Sequence, residues 1–263
     1  MKLIRRLLGR EGVSDAYAAF PIRFPGGRIR NAVRASQNAD PNAVITALGL
    51  PHPMPTIMIS GGADGMTAGE AALLRPLIEN GLVRFASSHS TSLIDGGTTA
   101  GVMPLIGAAR EQQHASFPLI GVAPEQQVRY PGHNLPEIAG GLDAGHSHFV
   151  LIDGKHFGAE SEMILQLAYA LSGAGAKKRL AVVLNGGEIV REEAHRCATR
   201  EPRFPLLVLE GSGRFADELA AARQTASGDP LIREILEQGS VDFIPVSAGA
   251  DHLYRWLENF FRE

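Results

Sequence analysis

Short apolar runs recur along the chain without alternating polar residues: Thr56–Ser60, Thr91–Asp95, Pro118–Val122, His148–Ile152, Leu180–Leu184, Leu206–Leu209 and Val241–Val246. Runs of this length, β-branched or leucine-rich and apolar on both faces, are expected of strands covered on both sides in a parallel sheet. Between them the apolar period changes to that of a helix. Leu73, Leu74, Leu77, Ile78, Leu82 and Val83 repeat within Glu70–Ala86, with Pro76 and Gly81 set against an unbroken helix. Ile164, Leu167, Ala168 and Leu171 share one helical face, as do Leu253, Trp256, Leu257 and Phe260. Alternating strands and helices predict βαβ units, hence an α/β, Rossmann-like three-layer sandwich with a mainly parallel sheet.

The first fifty residues read differently. Ile22-Arg23-Phe24 and the pair Ile29 and Val33 flank Pro25-Gly26-Gly27, predicting a short N-terminal β-hairpin or edge extension. Asp40 before Pro41, Val44, Ile45 and Leu48 predicts a short helix with an Asp cap and Pro at its first position. Pro51, Pro53 and Pro55 stiffen the lead into the next strand. Met1 to Arg10 is basic, lacks the apolar core of a secretory signal, and reads as a surface helix or frayed end. With no repeat or low-complexity linker, residues 1–263 read as one domain, the extension over 1–50 packed on it.

Composition narrows the class. At 44% hydrophobic and 20% charged the chain is an ordinary globular protein. Nowhere does it approach the roughly 18 successive apolar residues that a spanning helix requires. The net charge is -3, from 25 basic and 28 acidic residues, which disfavours a long nucleic acid as partner. The single cysteine, Cys197, excludes an internal disulfide, fits a cytoplasmic location, and lies in a helical stretch with Ala194 and Ala198.

Glycines cluster where the apolar runs end. In a parallel α/β sheet, ligands collect beyond the carboxyl ends of the strands, so Ser60-Gly61-Gly62-Ala63, Asp95-Gly96-Gly97-Thr98-Thr99-Ala100-Gly101, Asn185-Gly186-Gly187 and Glu210-Gly211-Ser212-Gly213-Arg214 are the candidate ligand loops. Missing side chains admit a ligand to the backbone, and a following helix offers unpaired N–H groups to a phosphate. Arg214 adds a guanidinium fork there; the competing reading pairs it with Glu210 or Asp217. Thr98 and Thr99 suit phosphate or ribose oxygens, or cap the next helix. Neither a P-loop nor the dinucleotide fingerprint is present. His133, His146, His148 and His156 lack the spacing of a zinc site, so no metal is expected. His146 is read as orienting a loop, and His148 as a strand packing position.

These segments, together with Leu142-Asp143-Ala144-Gly145-His146-Ser147-His148-Phe149-Val150-Leu151-Ile152-Asp153 and Phe157-Gly158-Ala159-Glu160, resemble the cytosolic N-terminal region of TRPM (melastatin-type) cation channels. The resemblance runs from about Phe20 to Ala222. It places the chain among SLOG-superfamily, LSDAT-type domains, which include LOG-type nucleotide hydrolases and DNA-processing proteins. The implied function is a sensor that binds a nucleotide-derived signal, with ADP-ribose or another adenine nucleotide as ligand, no required cofactor, and an effector protein, a membrane domain or a second copy as partner. In ADP-ribose-responsive relatives the arginine matching Arg214 faces the phosphates, and the loop matching Gly96–Gly101 lies at the adenosine end. Phe157 stands where those relatives have tyrosine, and Ile164 where they have a basic residue. The enzyme alternative is a nucleotide or NAD N-glycosidase using Glu160 or Asp95; the glutamate of LOG-type hydrolases falls at Val102, which cannot transfer a proton.

Overall fold

The structure, a computed structural model, describes residues 17–62, 65–133, 135, 140–224 and 228–262. The surface helix or frayed end expected over Met1–Arg10 lies outside the described residues. In chain order the elements are β1 (Ala19–Arg23), β2 (Ile29–Ala35), α1 (Pro41–Leu48), β3 (Thr56–Gly61), α2 (Ala68–Leu77), α3 (Arg84–Ser88), β4 (Ser92–Asp95), α4 (Met103–Gln112), β5 (Leu119–Pro124), β6 (Val128–Arg129), β7 (Gly140–Gly141), β8 (His148–Ile152), α5 (Ser161–Leu171), β9 (Arg179–Leu184), α6 (Glu188–Thr199), β10 (Leu206–Glu210), α7 (Arg214–Ala222), α8 (Pro230–Gln238), β11 (Val241–Pro245) and α9 (Ala250–Arg262).

The main sheet runs β1-β2-β8-β5-β4-β3-β9-β10-β11. Every pair in it is parallel except β1 with β2. Each apolar run of the sequence is one of its strands. From β3 the chain steps outward through β4, β5 and β8, then crosses back to lay β9 on the other side of β3. The order therefore reverses between β3 and β9, and a reversal of this kind opens a crevice at the carboxyl edge of the sheet.

Alternate residues of each central strand face opposite layers. In β3, Ile57 and Ile59 join the cluster built with Leu74, Phe85, Ile106 and Leu253 of α2, α3, α4 and α9. Met58 faces the other cluster, with Val44, Met163, Leu167, Ala194 and Leu219 of α1, α5, α6 and α7. Helices on both faces make this the expected α/β, Rossmann-like three-layer sandwich, and its apolar burial supplies most of the drive to fold.

The edge extension is present and is part of the sheet. β1 and β2 form the hairpin across Pro25–Gly27. β2 then adds in parallel to β8, with Ala32 opposite Phe149. The side chain of Asp40 accepts the Asn42 N–H at 3.0 Å, capping α1 as its sequence predicts. Over Glu70–Ala86 the helical path continues, but a π turn at Ile78–Val83 separates α2 from α3. Pro76 has no N–H to donate, and a widened turn just beyond it keeps Leu77, Ile78, Leu82 and Val83 on the buried side. α8, with Asp229 as its cap and Ile232 and Ile235 buried, was not anticipated from the sequence.

A crevice at the strand switch point

The loops after β3, β9 and β10 meet where the strand order reverses, and Asn185 holds them together. This residue is fully buried at φ +55°. Its N–H donates to Ser212 Oγ at 2.8 Å, and its Nδ2 donates to the Ser212 carbonyl at 2.9 Å and to Glu70 Oε1 at 3.1 Å. Glu70 forms a capping box with Thr67 at the start of α2, its Oε2 accepting the Thr67 N–H at 2.6 Å. That N–H, the Thr67 hydroxyl and, more weakly, the charge of Arg214 hold the Glu70 carboxyl below the usual carboxylate range. α2 is thereby tied to the turns after β9 and β10.

Arg214 lies in this crevice. A Cβ placed on Gly187 would stand 2.5 Å from Arg214 Nη2, and one on Gly65 would stand 3.4 Å from Nη1. The guanidinium thus occupies space that exists because residue 187 has no side chain. Arg214 also opens α7 at φ +51°, a conformation that non-glycine residues seldom adopt. The competing reading, pairing with Glu210 or Asp217, is not what these acids do. Glu210 pairs with Arg223 at 3.0 Å, and Asp217 accepts the N–H groups of Gly211 and Gly213 at 2.6 and 3.2 Å.

One expectation about this helix is corrected. Its first amides were expected to be unpaired and open to a phosphate. Instead Phe215 N–H donates to the Gly186 carbonyl at 3.2 Å and Ala216 N–H to the Asn185 carbonyl at 3.1 Å. The turn after β9 folds onto the helix start and uses its donors, so an anion at this point meets the guanidinium of Arg214 rather than the α7 amides.

The loop after β4 is fixed from below. Gly97, at φ +66°, packs against β5 so closely that a Cβ on it would stand 2.6 Å from the Gly121 Cα. Its N–H donates to Asp95 Oδ1 at 2.7 Å. His146 bridges Asp95 Oδ1 at 2.7 Å and Asp143 Oδ2 at 2.9 Å, and is itself wholly buried. Burial opposes its charge, but the two carboxylates outweigh it and raise its pKa to about 9. His146 is therefore an imidazolium at neutral pH, orienting the loop as the sequence suggests. Asp95, at 1% exposure, sits beneath the loop rather than at its surface, with Oδ2 unbonded among the described residues.

Thr98 and Thr99 do not cap α4, which leaves that alternative set aside. Its cap position is Val102, without a side-chain bond. Thr98 Oγ1 lies 3.6 Å from Met103 Sδ, and Thr99 Oγ1 accepts the Gly141 N–H at 3.3 Å. β7 closes over this loop: a Cβ on Gly140 would lie 3.7 Å from Phe157 Cζ and 3.9 Å from Thr98 Cβ. Val102 packs beneath Gly61 and donates its N–H to the Gly62 carbonyl at 3.3 Å. The loop after β8 reaches α6, with the Gly158 Cβ position 3.5 Å from Ile189 Cγ1. The ligand loops expected from the sequence thus share one end of the sheet, with Asp95 sunk below them.

A second acidic group adjoins Glu160. Glu193 of α6 is buried, its Oε2 accepting the Ser60 hydroxyl at 2.5 Å and its Oε1 that of Ser161 at 2.7 Å. The sequence carried a signal for it: Val190, Glu193, Ala194, Cys197 and Ala198 fall on one helical stripe, and an acid on an apolar stripe marks a buried polar contact. Burial pushes the Glu193 carboxyl up, and burial followed by the nearby Glu193 charge pushes Glu160 up to about 7. Glu160 Oε2 accepts the Gly158 N–H at 2.7 Å, a bond that an amide oxygen also makes. A carboxyl with a raised folded pKa resists ionisation, so the fold loses stability as pH rises from about 4.5 to about 7. Glu160→Gln removes that loss: its thermal midpoint exceeds the parent's at pH 8, by ~1–3 kcal/mol of stability, and matches it near pH 4. A calorimetric scan at both pH values checks this.

Comparisons with known proteins identify a family and relatives for the chain. The family described as SLOG in TRPM, prokaryote, matches residues 54–254. Over 251 residues the chain is 28% identical to "Transient receptor potential cation channel subfamily M member-like 2" of Nematostella vectensis, covering 80% of this chain and 16% of the relative. It is 28% identical over 261 residues to a "Transient receptor potential channel" of Caenorhabditis elegans, covering 86% and 13%. Against "Transient receptor potential cation channel subfamily M member 2" of Mus musculus it is 26% identical over 274 residues, covering 89% and 18%. The chain thus spans less than a fifth of the length of these relatives. No helix among the described residues is long and apolar enough to cross a membrane. With its family matched from the lead into β3 as far as α9, the chain belongs to the family of SLOG domains in TRPM, prokaryote.

Proposed function

We propose that the switch-point crevice binds a nucleotide-derived anion, ADP-ribose or a related NAD or adenine nucleotide, and that this chain is a sensor domain. The observation that carries the reading is the guanidinium of Arg214, lying against Gly187 and Gly65 where the strand order reverses. A guanidinium fork matches a diphosphate in charge and in planar bidentate geometry. Thr98, Thr99, Gly101 and Phe157 stand at the neighbouring loop, where the family resemblance puts the adenosine end. Binding orders the loops, and the change passes to an effector protein, a membrane domain or a second copy of the chain. The relatives are channels by name, and the stretch that this chain matches is less than a fifth of each, which supports such a relay.

The N-glycosidase alternative rests on Glu160, whose pKa of about 7 suits a general acid. Two observations weigh against it. Val102, at the position of the hydrolase glutamate, is packed under Gly61, and Asp95 spends one oxygen on Gly97 and His146 below the loop. Incubation with NAD, ADP-ribose, AMP and cyclic ADP-ribose separates the readings, with melting followed by thermal shift and products by chromatography. The sensor reading expects a raised midpoint with a diphosphate-bearing member recovered intact. Released base identifies a glycosidase, and no shift with any member removes the proposed site.

A further inference from the structure

A second concavity lies at the opposite end of the sheet. Its lining includes His52 ahead of β3, Ala174 ahead of β9 and Pro202 ahead of β10, so it opens at the amino ends of the strands. Its volume is about 380 Å³, within the range of small-molecule sites and too small for a folded partner. Leu165 and Tyr169 of α5 and the buried Phe204 give it apolar walls. Arg179 stands 5.0 Å from both the Tyr169 and the Phe204 ring centroids and braces the two rings as one wall.

The charges in this pocket are unequally committed. Of its two acids, Glu162 accepts from Gln166 Nε2 at 2.8 Å, and Glu201 is held by Arg203, both at its backbone N–H and at Nε, each at 3.2 Å. Of its two arginines, Arg196 on α6 and Arg200 just past its end, Arg196 has a long contact to Glu192 at 3.5 Å. The Arg200 guanidinium has no hydrogen bond or ion pair among the described residues. Glu201 is neutralised by Arg203, Glu162 keeps its charge and is met by the Gln166 amide, and the guanidiniums retain donors, leaving a concavity with apolar walls and cationic donors from Arg196 and Arg200. We propose that this pocket is a second binding site, separate from the switch-point crevice, for a small planar organic anion: an aromatic ring against Leu165, Tyr169 and Phe204, and a carboxylate on Arg196 and Arg200.

The test uses the full chain with 2-naphthoate and its uncharged counterpart 2-naphthamide, titrated by calorimetry or by naphthalene fluorescence. Saturable binding of 2-naphthoate is expected, with 2-naphthamide weaker by about tenfold or more, because a charge-assisted bidentate contact is lost. The double variant Arg196→Gln, Arg200→Gln should weaken 2-naphthoate to the same degree. Both side chains lie outside the core, so the fold is retained, and an unchanged melting temperature verifies it. Arg214→Ala should leave 2-naphthoate binding within about twofold, which separates this site from the crevice. Equal binding of acid and amide, unaltered binding by the double variant, or no saturation up to the solubility limit overturns the proposal, and none of these outcomes bears on the crevice.

Discussion

His146→Leu lowers the thermal midpoint by on the order of 10 °C at pH 7. Removing the imidazolium leaves Asp95 and Asp143 facing each other's charge, Asp95 with no route to solvent at 1% exposure. Breaking a buried ion pair by deleting one partner costs about 3–5 kcal/mol. In a domain of this size each kcal/mol is worth roughly 2–4 °C. The direction of the pH dependence follows from the histidine. Its folded pKa of about 9 exceeds the reference 6.5, so the folded state holds a proton that the unfolded chain releases between those values. Its contribution, about 3 kcal/mol, is complete below pH 6.5, shrinks above it and is gone once the pH has risen through about 9. The gap in midpoint between parent and variant must therefore narrow from pH 6 to pH 10. A constant gap, or a loss of only a degree or two at pH 7, would mean that the bridge is not an ion triad.

Much of this frame is legible in the sequence because uninterrupted apolar runs have few other solutions. Ile57 to Ile59 or Leu180 to Val183 can be buried on both faces only inside a covered sheet, and the glycines following them mark the turns at its carboxyl edge. What the pattern does not carry is which hydrogen-bond donors remain free. Gly211, Gly213, Phe215 and Ala216 look like a phosphate cradle in the sequence, but their amides are used by Asp217, Gly186 and Asn185. Asp217 lies within the same helix, but Gly186 and Asn185 come from another crossover, so only the three-dimensional arrangement reveals the competition. The Thr67–Glu70 capping box was readable as Thr-x-x-Glu before an apolar run. Its link to Asn185, by contrast, joins groups 115 positions apart in the chain. Glu193 belongs to both classes. Its place on an apolar stripe flags it as buried, while its partners Ser60 and Ser161 depend on how β3 and α5 pack against α6.

Arg214 carries the second large effect, and the backbone beneath it allows binding to be separated from folding. Arg214→Ala should weaken a diphosphate nucleotide by about 10- to 100-fold, the loss of a charge-assisted fork worth about 1.5–3 kcal/mol. The side chain is exposed, so the melting temperature without ligand stays within a few degrees of the parent's. Arg214→Gly should weaken the nucleotide equally, yet leave the ligand-free protein at least as stable, because φ +51° is strained for arginine and alanine but open to glycine. Gly187→Ala approaches the same site from the other side. Its Cβ would claim the space now filled by Nη2 and push the flexible end of Arg214 off the turn, so affinity falls without any loss of the arginine itself. Calorimetric titration of the three variants beside their ligand-free melting curves checks the set. A strained residue kept where glycine would be more comfortable is the mark of a side chain held for what it contacts, and a nucleotide affinity untouched by all three changes would show that this guanidinium serves the fold instead.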